Sequence, residues 1–130
     1  MSAHLDSDVA LRAASLLSDA RAVLERRGWV QHRWLHSSGA VCLLGAVAEA
    51  HNPGVLERVV KQHGEEFGLP GDPIVLAAEQ ALDTVALRYA APGVQNALMW
   101  QDDDGVTQQQ VLRVIDEAEA LLRSTAAAQA

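Results

Sequence analysis

The sequence of 130 residues predicts an all-α protein, and its composition and periodicity carry that prediction. Apolar residues make up 49% of the chain and are mostly alanine, leucine and valine, whereas aromatic residues make up 4%. This balance suits closely packed helices better than sheets of aromatic and β-branched strands. Several segments also repeat apolar residues at helical spacing between recognisable capping and breaking residues. We therefore expect one single-domain bundle of four to five helices, with frayed ends at about residues 1–6 and 124–130.

The first helix is predicted over about residues 8–27. Ser7 can cap its start and Gly28 ends it. Basic residues in the last turn, Arg26 and Arg27, match the negative end of the helix dipole. The apolar residues lie on one stripe that we expect to face the core: Val9, Ala13, Leu16, Leu17, Ala20, Val23 and Leu24.

A buried central helix is predicted from Ser38 to His51, with the other helices packed around it. Ser37 or Ser38 can cap its start, and the sequence Asn52-Pro53-Gly54 stops it. The segment is nearly uncharged and apolar on almost every side, as in a helix enclosed by others.

Small residues on this central helix predict a close contact. Gly45 and Ala46 share a face with Cys42, at spacings of three and four residues. A glycine inside a helix costs about 1 kcal/mol relative to alanine, and close packing would offset that cost. We therefore expect another helix to approach the backbone at this face.

Two more helices are predicted in the middle of the chain. Apolar residues at helical spacing indicate a short helix over residues 53–62. Asp72 followed by Pro73 is a clear start for the next helix, because aspartate caps well and proline fits the first helical position. That helix is expected to end near Tyr89, before the Ala91-Pro92-Gly93 sequence.

The last helix follows an ambiguous segment. Residues 94–100 are consistent with either a helical turn or a short extended piece. Thr107 and Gln110 have the spacing of a capping box, which predicts a helix running to about Arg123.

Charge and cysteine content restrict the function classes. Ten basic and seventeen acidic residues give a net charge of -7, which argues against binding nucleic acid or an anionic membrane. The basic and aromatic residues at positions 26–36 leave contact with nucleic acid as a less favoured alternative. The longest non-polar run is about half of the ~20 residues that span a bilayer, so no membrane helix is expected. A single cysteine and a start without a signal-peptide pattern predict a cytoplasmic protein. The arginine and alanine bias suggests a GC-rich genome such as that of an actinomycete.

Cys42 is the sharpest catalytic candidate because it is the only thiol. In a small enzyme it would act as a nucleophile, with His36 or His32 as the base. Its neighbours Leu43 and Leu44 instead favour burial, where free cysteine behaves as a small apolar residue. The familiar phosphate-loop, nucleophile-elbow and zinc-protease motifs are absent, so the sequence leans away from an enzyme.

Neither the histidines nor the acidic turn predicts a metal site. The five histidines are His4, His32, His36, His51 and His63, and they include no second compact pair of the kind zinc sites need. The run Asp102-Asp103-Asp104 lacks the alternating spacing and terminal glutamate of a calcium loop. We therefore expect no metal and no cofactor.

Tryptophans in two connections suggest a recognition site instead. Residues 28–36 hold two tryptophans and two histidines, and the third tryptophan lies in the Trp100–Asp102 turn. Apolar walls with a few polar groups describe most ligand sites. We expect the two connections to meet and form a site for a small organic ligand or a protein partner, built from Trp29, His32, Trp34, His36, Trp100 and Asp102. The alanine-rich helices also leave self-association as a homodimer open.

Three short motifs carry a family resemblance. They are Gly28-Trp29 after the first helix, Gly39-x-x-Cys42-x-x-Gly45-Ala46, and Trp100-x-Asp102 before the last helix. The chain resembles a family of small proteins from actinobacteria and their phages that is known only as a domain of unknown function. Gln101 stands where the family pattern has asparagine. The resemblance implies a small helical fold and brings no activity, cofactor or catalytic residue.

Overall fold

The computed structural model describes residues 6–63 and 68–129, and these residues form an all-α structure. Their six helices are α1 (Ser7–Arg27), α2 (Leu43–His51), α3 (Val55–His63), α4 (Pro73–Ala86), α5 (Ala97–Gln101) and α6 (Gln108–Ala128). The predicted fold class is confirmed. The described residues form one helix more than the four to five expected, because the ambiguous segment contains a helical turn, α5, from residue 97 onward. His4 and the side chain of His63 lie outside the described part of the chain.

The helices α1, α4 and α6 pack on one another, and α1 with α6 is the most extensive pair. The predicted inner stripe of α1 is buried except for Val9, which is half-buried. Additional small residues on the same helix, Ala10 and Ala14, are fully buried and let its neighbours approach closely. The helix α2 packs mainly on α1, and α3 packs on α2. None of the helices in the described ranges is long and apolar enough to cross a membrane.

Local signals place most helix ends, with one shift at α1. Asp6, rather than Ser7, caps α1, because its carboxylate accepts hydrogen bonds from the backbone N–H groups of Asp8 and Val9. The predicted capping box of α6 is confirmed, with Thr107 and Gln110 each accepting from the other's backbone N–H.

Two helices end at places other than those predicted. The helix α4 ends at Ala86, ahead of the expected Tyr89, and a turn follows. The helix α6 continues to Ala128, beyond the expected end near Arg123. Ala126 is 4% exposed, so packing against the bundle supports the extra turn.

The start predicted for α2 was wrong by five residues. The helix begins at Leu43, and neither Ser37 nor Ser38 caps it. Cys42 is the cap, and its Sγ lies 3.2 Å from the backbone nitrogen of Gly45, which donates to it. Val41 cannot join the helix because its backbone N–H and C=O are both hydrogen-bonded to residues 28–30, at 3.0 Å each.

The close approach predicted at Gly45 exists, but the approaching group is a loop and not a helix. A Cβ atom at Gly45 would lie 2.8 Å from the carbonyl oxygen of Trp34. The same oxygen accepts a hydrogen bond from the backbone of Cys42 at 3.3 Å. Glycine at this position therefore allows the 28–42 connection to lie directly on α2.

We predict that Gly45→Ala destabilises the protein by about 1–3 kcal/mol, because the added methyl group meets backbone that cannot swing aside. Helix propensity alone predicts the opposite sign, a gain of about 1 kcal/mol. Urea denaturation checks this, with Gly71→Ala as the control because Gly71 is exposed and has open space around it. A gain in stability for Gly45→Ala would show that the contact with Trp34 is loose.

Candidate functional site

The structure brings together the two tryptophan-bearing connections. The indole Nε1 of Trp29 donates to the side-chain oxygen of Gln101 at 2.8 Å. The amide Nε2 of Gln31 donates to two backbone carbonyl oxygens, those of Gln101 and Asp103, both at 2.9 Å. These bonds fasten the connection over residues 28–42 to the turn at residues 100–104.

Gln101 is the only polar residue among the fully buried side chains of the described chain. Its Oε1 accepts from Trp29 and also from the backbone N–H of Leu43 at 3.2 Å, the first residue of α2. Its Nε2 donates to the carboxylate of Asp102. No periodicity or capping pattern in the sequence predicts this role for Gln101. The one signal that pointed to it was its position between Trp100 and Asp102 in the family motif.

His32 has an unusual backbone conformation next to the turn. Its φ of 70° lies in the left-handed region, which is uncommon for residues other than glycine. Its backbone N–H donates to Oδ1 of Asp102 at 2.8 Å, and its ring Nδ1 lies 3.9 Å from the same oxygen. The carboxylate of Asp102 therefore holds the loop in this conformation while the imidazole stays exposed.

Two cavities flank the turn. The larger cavity, of about 310 Å³, lies between the turn after α4, the Trp100–Val106 segment and the first turns of α6. The smaller cavity, of about 220 Å³, lies against the 28–42 connection. Trp100 lines the larger one and Asp102 lines the smaller one, so the turn forms the wall between them.

Four of the six predicted ligand-binding residues line one or other of these two cavities. His32, Trp34 and Asp102 line the smaller cavity, together with Cys42. Trp100 lines the larger cavity. Trp29 and His36 line neither of the two, because the indole of Trp29 is turned onto Gln101 and His36 is bonded to Ser38.

The larger cavity combines aromatic, apolar and charged groups. Trp100 is 4% exposed and forms part of its floor, while Tyr89 is 49% exposed at its rim. The phenol of Tyr89 is hydrogen-bonded to Glu117 on α6, and this bond raises the pKa of Tyr89. The remaining lining residues include Val106, Val114, Asp103, Asp104, Gln110 and Arg113. Sequence reasoning did not single out Tyr89 or Arg113, because nothing local relates them to Trp100.

The surroundings of Cys42 favour a structural role over a nucleophilic one. The thiol is 2% exposed, and burial raises the pKa of Cys42 from its ordinary value of 9.0 to about 11. Its sulfur accepts from the Gly45 N–H as the cap of α2. The Nδ1 atom of His36, one proposed base, lies 2.9 Å from the hydroxyl oxygen of Ser38 and accepts from the Ser38 N–H at 3.1 Å.

Arg27, part of the basic stretch before Trp29, makes contacts that stabilise the fold. Its guanidinium donates to Glu57 Oε2 at 2.9 Å and to the Gly39 carbonyl at 2.8 Å, and lies 3.4 Å from Glu49 Oε2. The hydrogen bond with Glu57 raises the pKa of Arg27, and its side chain is 17% exposed. The cluster ties the end of α1 to α2, α3 and the 28–42 connection. Arg27 is therefore not free to contact phosphates.

The described histidines are dispersed. His51 Nε2 lies 3.7 Å from Asp72 Oδ2, between the end of α2 and the cap of α4. Within residues 6–63 and 68–129, no group of three or more histidine, cysteine, aspartate and glutamate side chains is placed to hold a metal ion.

Comparison with known proteins relates the chain to a protein family. A protein-family model described as a family of unknown function, DUF6197, matches residues 8–121. No curated protein and no solved structure matches the chain. The matched range takes in both cavities and the buried Gln101.

We predict that Gln101→Ala lowers the free energy of unfolding by about 2–4 kcal/mol, since it leaves the buried Leu43 N–H and the partly buried Trp29 indole N–H without an acceptor. Urea denaturation followed by tryptophan fluorescence measures the effect. Gln109→Ala is the matched control, because Gln109 is an exposed glutamine of α6. Equal stabilities of the two variants would contradict the role assigned to the buried amide.

We predict that folded protein reacts slowly with iodoacetamide at pH 7.5, because a buried thiol with a pKa of about 11 holds almost no thiolate there. The same protein in denaturant should react at the rate of an ordinary thiol. Since the folded pKa is raised, the stability linked to this thiol is complete below pH 9 and declines as the pH rises towards 11. Rapid alkylation of the folded protein that is lost in His36→Ala would instead support the enzyme hypothesis.

Proposed function

The chain belongs to this family of unknown function, DUF6197, and we propose that it is a small non-catalytic binding protein whose ligand is a small organic molecule. The observation that carries the proposal is the larger cavity at the Trp100 turn. Its volume of about 310 Å³ lies at the lower end of the ~300–1,000 Å³ range of ligand pockets.

The lining of this cavity has the mixture that ligand sites use. Trp100, Val106 and Val114 offer apolar surface, and Tyr89 adds an aromatic rim. Charged side chains from the turn and from α6 supply the few polar groups that orient a ligand. The turn itself is held from behind by Gln31, so the cavity wall is fixed before a ligand arrives.

A protein partner or a second copy of this chain is the second candidate. Leu76 and Leu87 are 46% and 44% exposed and lie eleven residues apart, close to three full helical turns, on and just after α4. This spacing places them on one side of the bundle. The enzyme alternative, with Cys42 as nucleophile and His36 or His32 as base, has less support because the thiol is buried and weakly acidic.

We also propose that the chain is encoded by an actinobacterium or one of its phages and that it is located in the cytoplasm of the bacterial cell. The lone free cysteine suits a reducing compartment, where disulfides are rare. The net charge of -7 supports a partner other than nucleic acid.

We predict that small aromatic fragments bind at the Trp100 turn. In two-dimensional amide NMR spectra, a fragment screen should perturb the Trp100 indole signal and the amides of residues 103–106 and 113. Native mass spectrometry of the purified protein gives an independent check for a co-purified molecule.

Two matched variants make this test specific. Ala91→Trp places a large ring at the rim of the cavity and should abolish the perturbations, because Ala91 is an exposed lining residue. Ala22→Trp changes an exposed alanine of α1 and should leave them intact. Fragments that perturb other surfaces, or that ignore Ala91→Trp, would contradict the proposed site.

A further inference from the structure

Three charged side chains line the larger cavity without pairing with other side chains of the described residues. Arg113, Asp103 and Asp104 form no side-chain hydrogen bond or ion pair within the described residues, although all three border the cavity. The nearest carboxylate on the same face of α6, Glu117, is already bonded to Tyr89 and lies 3.5 Å from the guanidinium of Arg88. The guanidinium of Arg113 and the carboxylates of Asp103 and Asp104 are therefore available to contact an incoming molecule.

These charges are separated along the cavity. Asp103 and Asp104 belong to the turn that precedes α6. Arg113 lies six residues beyond the cap Thr107, which is about 9 Å along the helix axis at 1.5 Å per residue. The positive charge of Arg113 acts on the phenol of Tyr89, lowering its pKa against the larger rise caused by Glu117. The helix geometry therefore places Arg113 more than one turn beyond the acidic turn.

Apolar side chains line the same cavity as these charged groups. Trp100, Val106 and Val114 are cavity residues, and Trp100 and Val114 are 4% and 1% exposed. A ligand that matched this lining would place a flat apolar body on these residues. A charge at each end of that body would then meet the opposite charge of the protein.

We propose that the larger cavity binds a small zwitterion whose ammonium and carboxylate groups are separated by an apolar body. Asp103 and Asp104 contact the ammonium group, Arg113 contacts the carboxylate, and Trp100 packs against the body. This inference rests on the proposed function and specifies the ligand class of the same site. Carboxylate recognition suits arginine in particular, because its planar fork can donate two parallel hydrogen bonds.

A matched series of probes tests each charge. The zwitterion 4-(aminomethyl)benzoate is compared with 4-methylbenzoate, which lacks the ammonium, and with 4-methylbenzylamine, which lacks the carboxylate. The neutral 4-methylbenzyl alcohol has the same ring without either charge. NMR titration at low salt gives the four dissociation constants, and we expect the zwitterion to bind about fivefold more tightly than either singly charged probe.

Variants assign the two ends. Arg113→Gln should remove the advantage of the zwitterion over 4-methylbenzylamine and leave its advantage over 4-methylbenzoate. The double variant Asp103→Asn with Asp104→Asn should do the reverse. Arg123→Gln is the control, because Arg123 pairs with Glu119 on the outside of α6. Amide spectra establish that each variant is folded.

The outcomes separate the two proposals. If the neutral alcohol perturbs the Trp100 indole and the zwitterion binds no better than a singly charged probe, the zwitterion inference is wrong and the proposed site stands. The same conclusion follows if Arg113→Gln affects all four probes equally. If neither these probes nor the fragment screen perturbs the cavity, the proposed function itself fails.

Discussion

The buried side-chain amide of Gln101 joins three parts of the molecule that are distant in sequence. Its oxygen accepts from the indole of Trp29 and from the first backbone N–H of α2, and its nitrogen donates to Asp102. A buried polar group is tolerated only when its hydrogen bonds are made, so the three parts must arrive together. Gln101 therefore contributes to the position of the 28–42 connection, to the start of α2 and to the orientation of the Trp100 turn.

The Trp100 turn owes its fixed shape to contacts on the side away from the larger cavity. Gln31 holds two of its carbonyl oxygens, and Asp102 in turn holds the left-handed backbone of His32. Strain of this kind persists where the surroundings determine the conformation from several directions. The side chains of Asp103 and Asp104 take no part in these contacts. Because the cavity wall is positioned before binding, a ligand does not have to offset the entropic cost of ordering it.

Cys42, the candidate nucleophile, has a structural role as the cap of α2. A thiol is a weak acceptor, yet it caps α2 because the helix start is buried and water cannot reach the Gly45 N–H. The absence of a side chain at Gly45 lets the Trp34 carbonyl approach that same turn. On the other side of the connection, Arg27 fastens the Gly39 carbonyl to carboxylates of α2 and α3. The Gly-x-x-Cys-x-x-Gly motif is accounted for by packing.

Composition and short-range patterns were enough to predict the helical class and the helix ends that have local signals. Gly28 ends α1, Asp72 with Pro73 starts α4, and the Thr107–Gln110 box starts α6, because each signal acts through hydrogen bonds within one helical turn. The sequence also indicated that the tryptophan-bearing connections would meet.

The start of α2 and the division of the predicted site residues between two cavities depend on contacts between distant parts of the chain. An apolar run is compatible with a helix and with a buried extended segment. The pairing of Val41 with residues 28–30 keeps the residues just before α2 extended. The roles of Gln31, Gln101 and Arg113 likewise depend on partners or cavity walls brought close by the fold. Local hydrogen bonds are encoded by neighbours along the chain, whereas the satisfaction of a buried polar group and the shape of a cavity depend on segments dozens of residues apart.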